Sequence, residues 1–206
     1  MAQELGKIDK PEVGSLKQGR KLFLVPLVYL GADAHPEYVE KCNTYWRQVA
    51  EHVGNLEARI GQVSRVYHES ISLGGEEGLG MMEKLNPESY QIAMGKCQSG
   101  AELEVVEDRE LAEESMDWER CLLIGFISEN VARKVSESYV EVSRKRYEHI
   151  SKKVDETLKA NEVAILFIRE GNMVQFPGDV EVYSVSPPAL DELYRWLRDN
   201  ASRKEP

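Results

Sequence analysis

The sequence lacks the features that mark secreted, membrane and metal-stapled proteins. It has only three cysteines (Cys42, Cys97 and Cys121), with no CxxC pair or cysteine–histidine cluster of the kind that frames disulfide or zinc sites. The longest apolar runs, 22–30 and 121–127, are far shorter than the about 20 residues that cross a bilayer. Residues 1–20 mix acids with bases and have no apolar middle, unlike a secretory signal. We therefore expect a cytoplasmic protein without a membrane segment and with buried, unpaired thiols.

Positive charge is also scarce. The 26 lysines and arginines face 36 aspartates and glutamates, which leaves a net charge of −10 and disfavours generic binding to nucleic acid or to anionic membranes. With 15 glycines and 8 prolines among 206 residues, the chain is neither collagenous nor of low complexity. Its length suits one core. We expect a single domain over 21–199, between a flexible N-terminal segment (1–20) and a flexible tail (200–206).

Apolar segments alternate with helical periodicity along the chain. Four apolar segments are typical of strands: 21–30, 63–72, 163–168 and 180–185. Five other segments have apolar residues at helical spacing or helix-start signals: 36–60, 76–85, 87–100, 128–160 and a last helix that opens at Ser186. This alternation predicts a three-layer α/β domain with a largely parallel sheet. A turn at 170–172 followed by an apolar segment at 173–176 predicts an antiparallel C-terminal hairpin, which would make the sheet mixed. Residues 102–106 could form a brief strand, but 101–120 holds nine acids and two arginines and has no definite assignment.

The segment 128–160 has no glycine or proline and predicts one long helix, or two joined at a bend. A continuous helix of this length would span about 50 Å, while a compact chain of this size has a diameter of about 43 Å. It must therefore bend, protrude or pack against another chain. Protrusion would expose its valines and tyrosines, so the sequence predicts a homo-oligomer formed through this helix.

A basic cluster, Arg144, Lys145 and Arg146, lies on the same segment. Glu141 precedes Lys145 by four positions, and Glu148 precedes Lys152 by four, the favourable order for ion pairs on a helix surface. A self-paired, solvated face is therefore favoured over an RNA-binding or acidic-partner surface.

Residues that follow the predicted strands are the candidates for a site, because the carboxyl ends of parallel strands share one edge. Asp33, His35, Glu69 and Glu76 are the candidate ligands of a divalent metal ion. His68, Glu69 and Arg169 are the catalytic candidates. Adjacent strand residues face opposite sides, so His68 and Glu69 are not expected to enter one pocket. The alternative for each is a structural role with its polar atoms satisfied.

Gly74 and Gly75 open a glycine-rich run, 74–80, that follows a predicted strand and precedes a helix. Phosphate-binding loops occupy such a position, so these two glycines are the cofactor-binding candidates. The spacing fits neither GxGxxG nor GxxxxGK[ST], and Glu76 and Glu77 would repel a phosphate. Acids in a first turn more simply complement the helix dipole.

Two hypotheses of function follow. The first is a binding or scaffold module that self-associates through the long helix. The second is a small-molecule hydrolase, assisted by a divalent metal, at the carboxyl ends of the strands. An enzyme requires the candidate side chains to converge, whereas a binding module requires an apolar patch.

Overall fold

The computed structural model describes residues 18–31 and 33–201. Within this part the chain forms five strands: β1 (Arg20–Pro26), β2 (Val63–His68), β3 (Glu102–Leu103), β4 (Val163–Ile168) and β5 (Val180–Ser184). It also forms six helices: α1 (Pro36–Ile60), α2 (Gly75–Leu85), α3 (Pro87–Gln98), α4 (Arg109–Ile124), α5 (Glu129–Thr157) and α6 (Pro188–Ala201). The strands make one sheet in the order β3-β2-β4-β1-β5. The predicted α/β class is confirmed.

Burial of the strands follows their place in the sheet. All six residues of β4 are buried, because this central strand is covered on both faces. Pro26 pairs with Ile168 at the last register position of β1, where the missing backbone N–H interrupts no interior ladder. β5, at the sheet edge, exposes Glu181 and Val182.

Two apolar clusters lie on opposite faces of the sheet and give the domain its three layers. One cluster joins the sheet to α1, α2, α3 and α6, with Trp46, Met82, Ala93 and Leu190 among its members. The other joins it to α5, through Ile150, Val154 and Leu158. Their separation shows that each face of the sheet has its own helical cover.

The predicted antiparallel C-terminal hairpin is wrong, because every strand pair in the sheet is parallel. Residues 173–176, the predicted return strand, belong to none of the described strands, and β4 pairs in parallel with β1 and β2. Val174 is buried, and Phe176 packs beside it in the α5-side cluster. The segment 173–176 is therefore part of a crossover over that face, and burial rather than strand pairing explains its apolar residues.

Helices α4 and α5 are consecutive and pack on each other. The predicted long helix 128–160 is observed as a single helix over Glu129–Thr157, but its buried residues begin only at Val142 and continue with Arg146, Ile150 and Val154. α4 was not predicted, since its acids obscured its apolar periodicity. It buries only Ser115, so the α4–α5 hairpin has little cover away from the sheet.

The predicted flexible ends, 1–20 and 200–206, fall largely outside the described residues. Where they are described, Arg20 already belongs to β1 and α6 continues to Ala201. No helix in 18–31 or 33–201 is long and apolar enough to cross a membrane.

Candidate functional site

The carboxyl edge of the sheet has the geometry at which open α/β proteins bind ligands. The chain leaving β1 enters α1 on one face, whereas the chain leaving the adjacent β4 crosses the other face through Val174 and Phe176. Connections that diverge from neighbouring strands open a crevice at their carboxyl ends. Residues following β2, β3 and β4 lie at this edge.

Glu69, directly after β2, is the most buried charge at this edge, with 1% exposure. Its Oε1 accepts a hydrogen bond of 2.8 Å from the backbone N–H of Arg169. Its Oε2 lies 3.5 Å from Nε of Arg169 and 3.7 Å from a terminal nitrogen of Arg146. Neither Oε2 of Glu69 nor Nε of Arg169 has a hydrogen-bond partner within the described structure. Glu69 is therefore held by charge, with one hydrogen bond fixing its position.

Glu107 completes this cluster from the segment after β3. Both of its carboxylate oxygens lie 2.9 Å from Nε of Arg146, and Oε2 also accepts from the terminal nitrogen of Arg146 and from the backbone N–H of Ser70, at 3.0 Å for Ser70. Ser70 has a φ of 69°, an uncommon left-handed conformation for a residue other than glycine. This turn directs the Ser70 N–H at Glu107 and leads the chain away from β2.

The four side chains of this carboxyl-edge cluster (Glu69, Glu107, Arg146 and Arg169) balance two negative charges against two positive ones. Burial raises the pKa of Glu69, and the guanidinium groups of Arg169 and Arg146 oppose that rise. Burial lowers the pKa of Arg169, but the carboxylates of Glu69 and Glu119 hold it above its ordinary value. Mutual attraction therefore keeps the two arginines charged inside the protein.

Arg169 is the member of the cluster that reaches the surface. Its side chain is 30% exposed, and its Nη1 lies 3.4 Å from the Glu119 carboxylate on α4. Tyr29, Tyr139 and Tyr147 interact electrostatically with this group or its neighbours. Burial raises the pKa of Tyr29 and of Tyr147, so both phenols stay protonated.

The structure separates His68 from Glu69, as strand alternation predicts. Nε2 of His68 lies 3.2 Å from Oγ of Ser89 on α3, while Nδ1 contacts the backbone oxygen of Glu69. Burial lowers the pKa of His68 to about 4. Of the three catalytic candidates, Glu69 and Arg169 meet, and His68 faces the opposite layer as a neutral packing residue.

The proposed metal ligands do not converge in the structure. Asp33, His35 and Glu76 are exposed, while Glu69 is buried among the arginines. Nδ1 of His35 accepts from the backbone N–H of Glu37 and its ring lies 5.7 Å from that of Trp196. Among the residues that can be described, no group of three or more His, Cys, Asp or Glu side chains is arranged to hold a metal ion.

Gly74 and Gly75 form the start of α2. Gly74 is the N-cap of α2 and provides no side-chain cap. Gly75 has a φ of +58°, which glycine adopts without strain. Glu76 and Glu77 occupy the first turn, where their charge is favourable to the helix dipole.

Glu107 and Arg146 are the residues of the cluster that sequence reasoning missed. Glu107 was one acid among many in 101–120. Arg146 belongs to the basic run at 144–146, but it lies four positions after Val142 and four before Ile150, in line with the apolar stripe of α5. A charged residue on a buried stripe requires a buried partner, and that signal could have singled it out.

No protein-family model, curated protein or solved structure matches this chain at a significant level.

Proposed function

We propose that this protein is a binding module that self-associates through the α4–α5 hairpin. The observation that supports this proposal is the poor burial of α4, in which only Ser115 of 16 residues is buried. The end of the hairpin is more exposed still, with Leu123 at 83%, Ile124 at 78% and Ile127 at 107% exposure. We call these three residues the hairpin tip. Contiguous exposed apolar side chains of this size are typical of interaction surfaces.

A second copy of the chain is the partner that this surface fits best. Residues 121–127 contain no charged side chain, so their partner must also be apolar, and the same tip on another copy supplies such a surface. On the first half of α5, Arg133 pairs with Glu137 of the same helix at 3.0 Å. Two such hairpins related by a two-fold axis would complete a four-helix bundle.

The charge of α4 disfavours a membrane as the alternative partner. This helix carries five acids and two arginines, which an anionic lipid surface repels. An apolar tip flanked by acids is therefore better covered by protein than by an anionic phospholipid surface.

Sedimentation velocity over a concentration series up to tens of micromolar tests the proposal. We expect a dimer for the natural sequence and a monomer for Ile124→Asp/Ile127→Asp, because the buried carboxylates would be unpaired in the dimer. Leu85→Asp is the matched control, since Leu85 is an exposed apolar residue on α2 with 40% exposure. A natural chain that stays monomeric, or that co-sediments with phosphatidylcholine vesicles through its tip, would overturn the proposal.

A hydrolase at the carboxyl edge is the second candidate. It is supported by Oε2 of Glu69, which has no hydrogen-bond partner within the described structure and lies at the point where the crossovers diverge. Thermal shift measurements with Mg²⁺, Mn²⁺ and Zn²⁺ test its metal-assisted form, which predicts stabilisation by mass action. An unchanged melting temperature in both the natural chain and Glu69→Gln would remove that form.

A further inference from the structure

A cavity of about 810 Å³ lies between α5 and the β4–β5 crossover. Its volume is within the range of small-molecule sites. Aromatic, aliphatic and amide side chains line it, among them Tyr139, Val140, Tyr147, Met173, Gln175 and Pro177. The hydroxyl of Ser151 bonds to the backbone oxygen of Gln175, so the crossover is fastened to α5 at this cavity.

The exposed apolar side chains of the cavity indicate the kind of molecule that would cover them. Val140 on α5 is 64% exposed, and Met173 on the β4–β5 crossover is 73% exposed. Tyr139 and Tyr147 lie eight positions apart on α5, close to two turns, and so share a face of the helix. An apolar or aromatic body between Tyr147 and Met173 would remove part of this surface from water.

The charged side chains that line the cavity differ in how close their oppositely charged partners lie. Arg144 bonds to Glu148 at 2.6 Å, and Asp155 accepts from Arg20 at 2.8 Å. Lys152 lies 3.8 Å from Oε1 of Glu156, beyond hydrogen-bonding distance, and the other oxygen of Glu156 accepts from Lys153 at 3.0 Å. The Lys152 ammonium is thus the lining charge with the weakest partner, and it favours a negative group on the occupant.

We propose that this cavity binds a small amphipathic anion, with its apolar body against Tyr147 and Met173 and its negative group at Lys152. Tyr139 and Tyr147 also interact electrostatically with Arg169 of the carboxyl-edge cluster. The proposal does not depend on self-association, because the lining excludes Leu123, Ile124 and Ile127.

Fluorescence titration of the full chain with 8-anilinonaphthalene-1-sulfonate, an aromatic anion, tests the proposal, with the neutral dye Nile red for comparison. Lys152→Glu should weaken binding of the anion about tenfold, which corresponds to about 1.4 kcal/mol, and should change Nile red binding less. Met173→Asp should weaken both dyes. Lys84→Glu, the same charge change at an exposed position on α2, should leave both unchanged.

The location of the dye separates this site from the hairpin tip. In ¹H–¹⁵N spectra, the anion should shift resonances of 139–155 and 171–177 in the natural chain and equally in Ile124→Asp/Ile127→Asp. If the tip variant abolishes binding, or if Lys152→Glu binds the anion as tightly as Lys84→Glu does, the proposal is overturned. Failure of self-association with retained dye shifts would leave this site standing and remove only the proposed dimer.

Discussion

Nε of Arg146 on α5 lies 2.9 Å from both carboxylate oxygens of Glu107, with both side chains 3% exposed or less. This pair joins the α5 layer to the segment that follows β3. Glu107 also accepts the backbone N–H of Ser70, so a single carboxylate holds α5 and the chain leaving β2 together.

Glu107→Gln should destabilise the fold by about 3–5 kcal/mol, because the buried guanidinium of Arg146 then loses its closest counter-charge. Urea unfolding measures this free energy. Glu148→Gln is the control, since it breaks the exposed Arg144–Glu148 pair and should cost less than about 1 kcal/mol. Adding Arg146→Met to Glu107→Gln should recover part of the loss. Equal effects of Glu107→Gln and Glu148→Gln would show that the buried pair contributes no more than a surface one.

His68 should make the fold sensitive to acid. Burial lowers its pKa from 6.5 to about 4, so the unfolded chain takes up a proton at a higher pH than the folded chain does. Stability is then fully present above pH 6.5 and is lost as the pH falls towards 4, by up to about 3 kcal/mol. The difference in unfolding free energy between the natural chain and His68→Gln, measured across this window, should shrink as the pH falls.

NMR titration gives a direct check, since the His68 ring should remain neutral at pH 5. A ring that titrates near 6.5 would contradict the buried, uncharged state.

The fold was more predictable than the site because burial leaves a periodic signal. β4 and α1 were predicted with their observed bounds, since each has apolar residues in the pattern of its element. The hairpin at 173–176 was mispredicted because a short apolar segment has no signal that distinguishes strand pairing from a crossover packed on a sheet. Strand order decides between the two, and it depends on long-range contacts.

The candidate site was predicted only where chain position determines it. Glu69 and Arg169 each follow a strand, and both lie at the carboxyl edge. Glu107 and Arg146 join them through tertiary contacts across 39 residues, which no local spacing reveals. The sequence marked Arg146 as one of three consecutive basic residues, while its neighbours Arg144 and Lys145 pair with exposed acids on the helix surface.

Asn86 should contribute more stability than an ordinary helix cap. Its Oδ1 accepts from the backbone N–H of Ser89 at 2.9 Å, and its Nδ2 donates to the backbone oxygen of Val28 at 2.8 Å. Asn86→Ala removes the helix cap, which costs about 1 kcal/mol of stability. It also leaves the Val28 carbonyl without its hydrogen-bond donor, which costs about 1–3 kcal/mol. Asp108→Ala removes only the cap of α4 and should cost about 1 kcal/mol in the same unfolding assay. Equal losses would show that the Val28 contact adds nothing.

Gly78 and Gly80 should respond in opposite directions to the same substitution, although both lie inside α2. A Cβ at Gly78 would come within 2.1 Å of the backbone oxygen of Leu73 and 2.9 Å of Cδ2 of Leu103, whereas one at Gly80 would meet nothing within 4 Å. Gly80→Ala should stabilise by about 0.5–1 kcal/mol through helix propensity. Gly78→Ala should destabilise by about 1–3 kcal/mol, because the helix start must move away from the Leu73 carbonyl. Melting temperatures measure both changes, and a rise for Gly78→Ala would mean that α2 does not pack against residue 73 as closely as described.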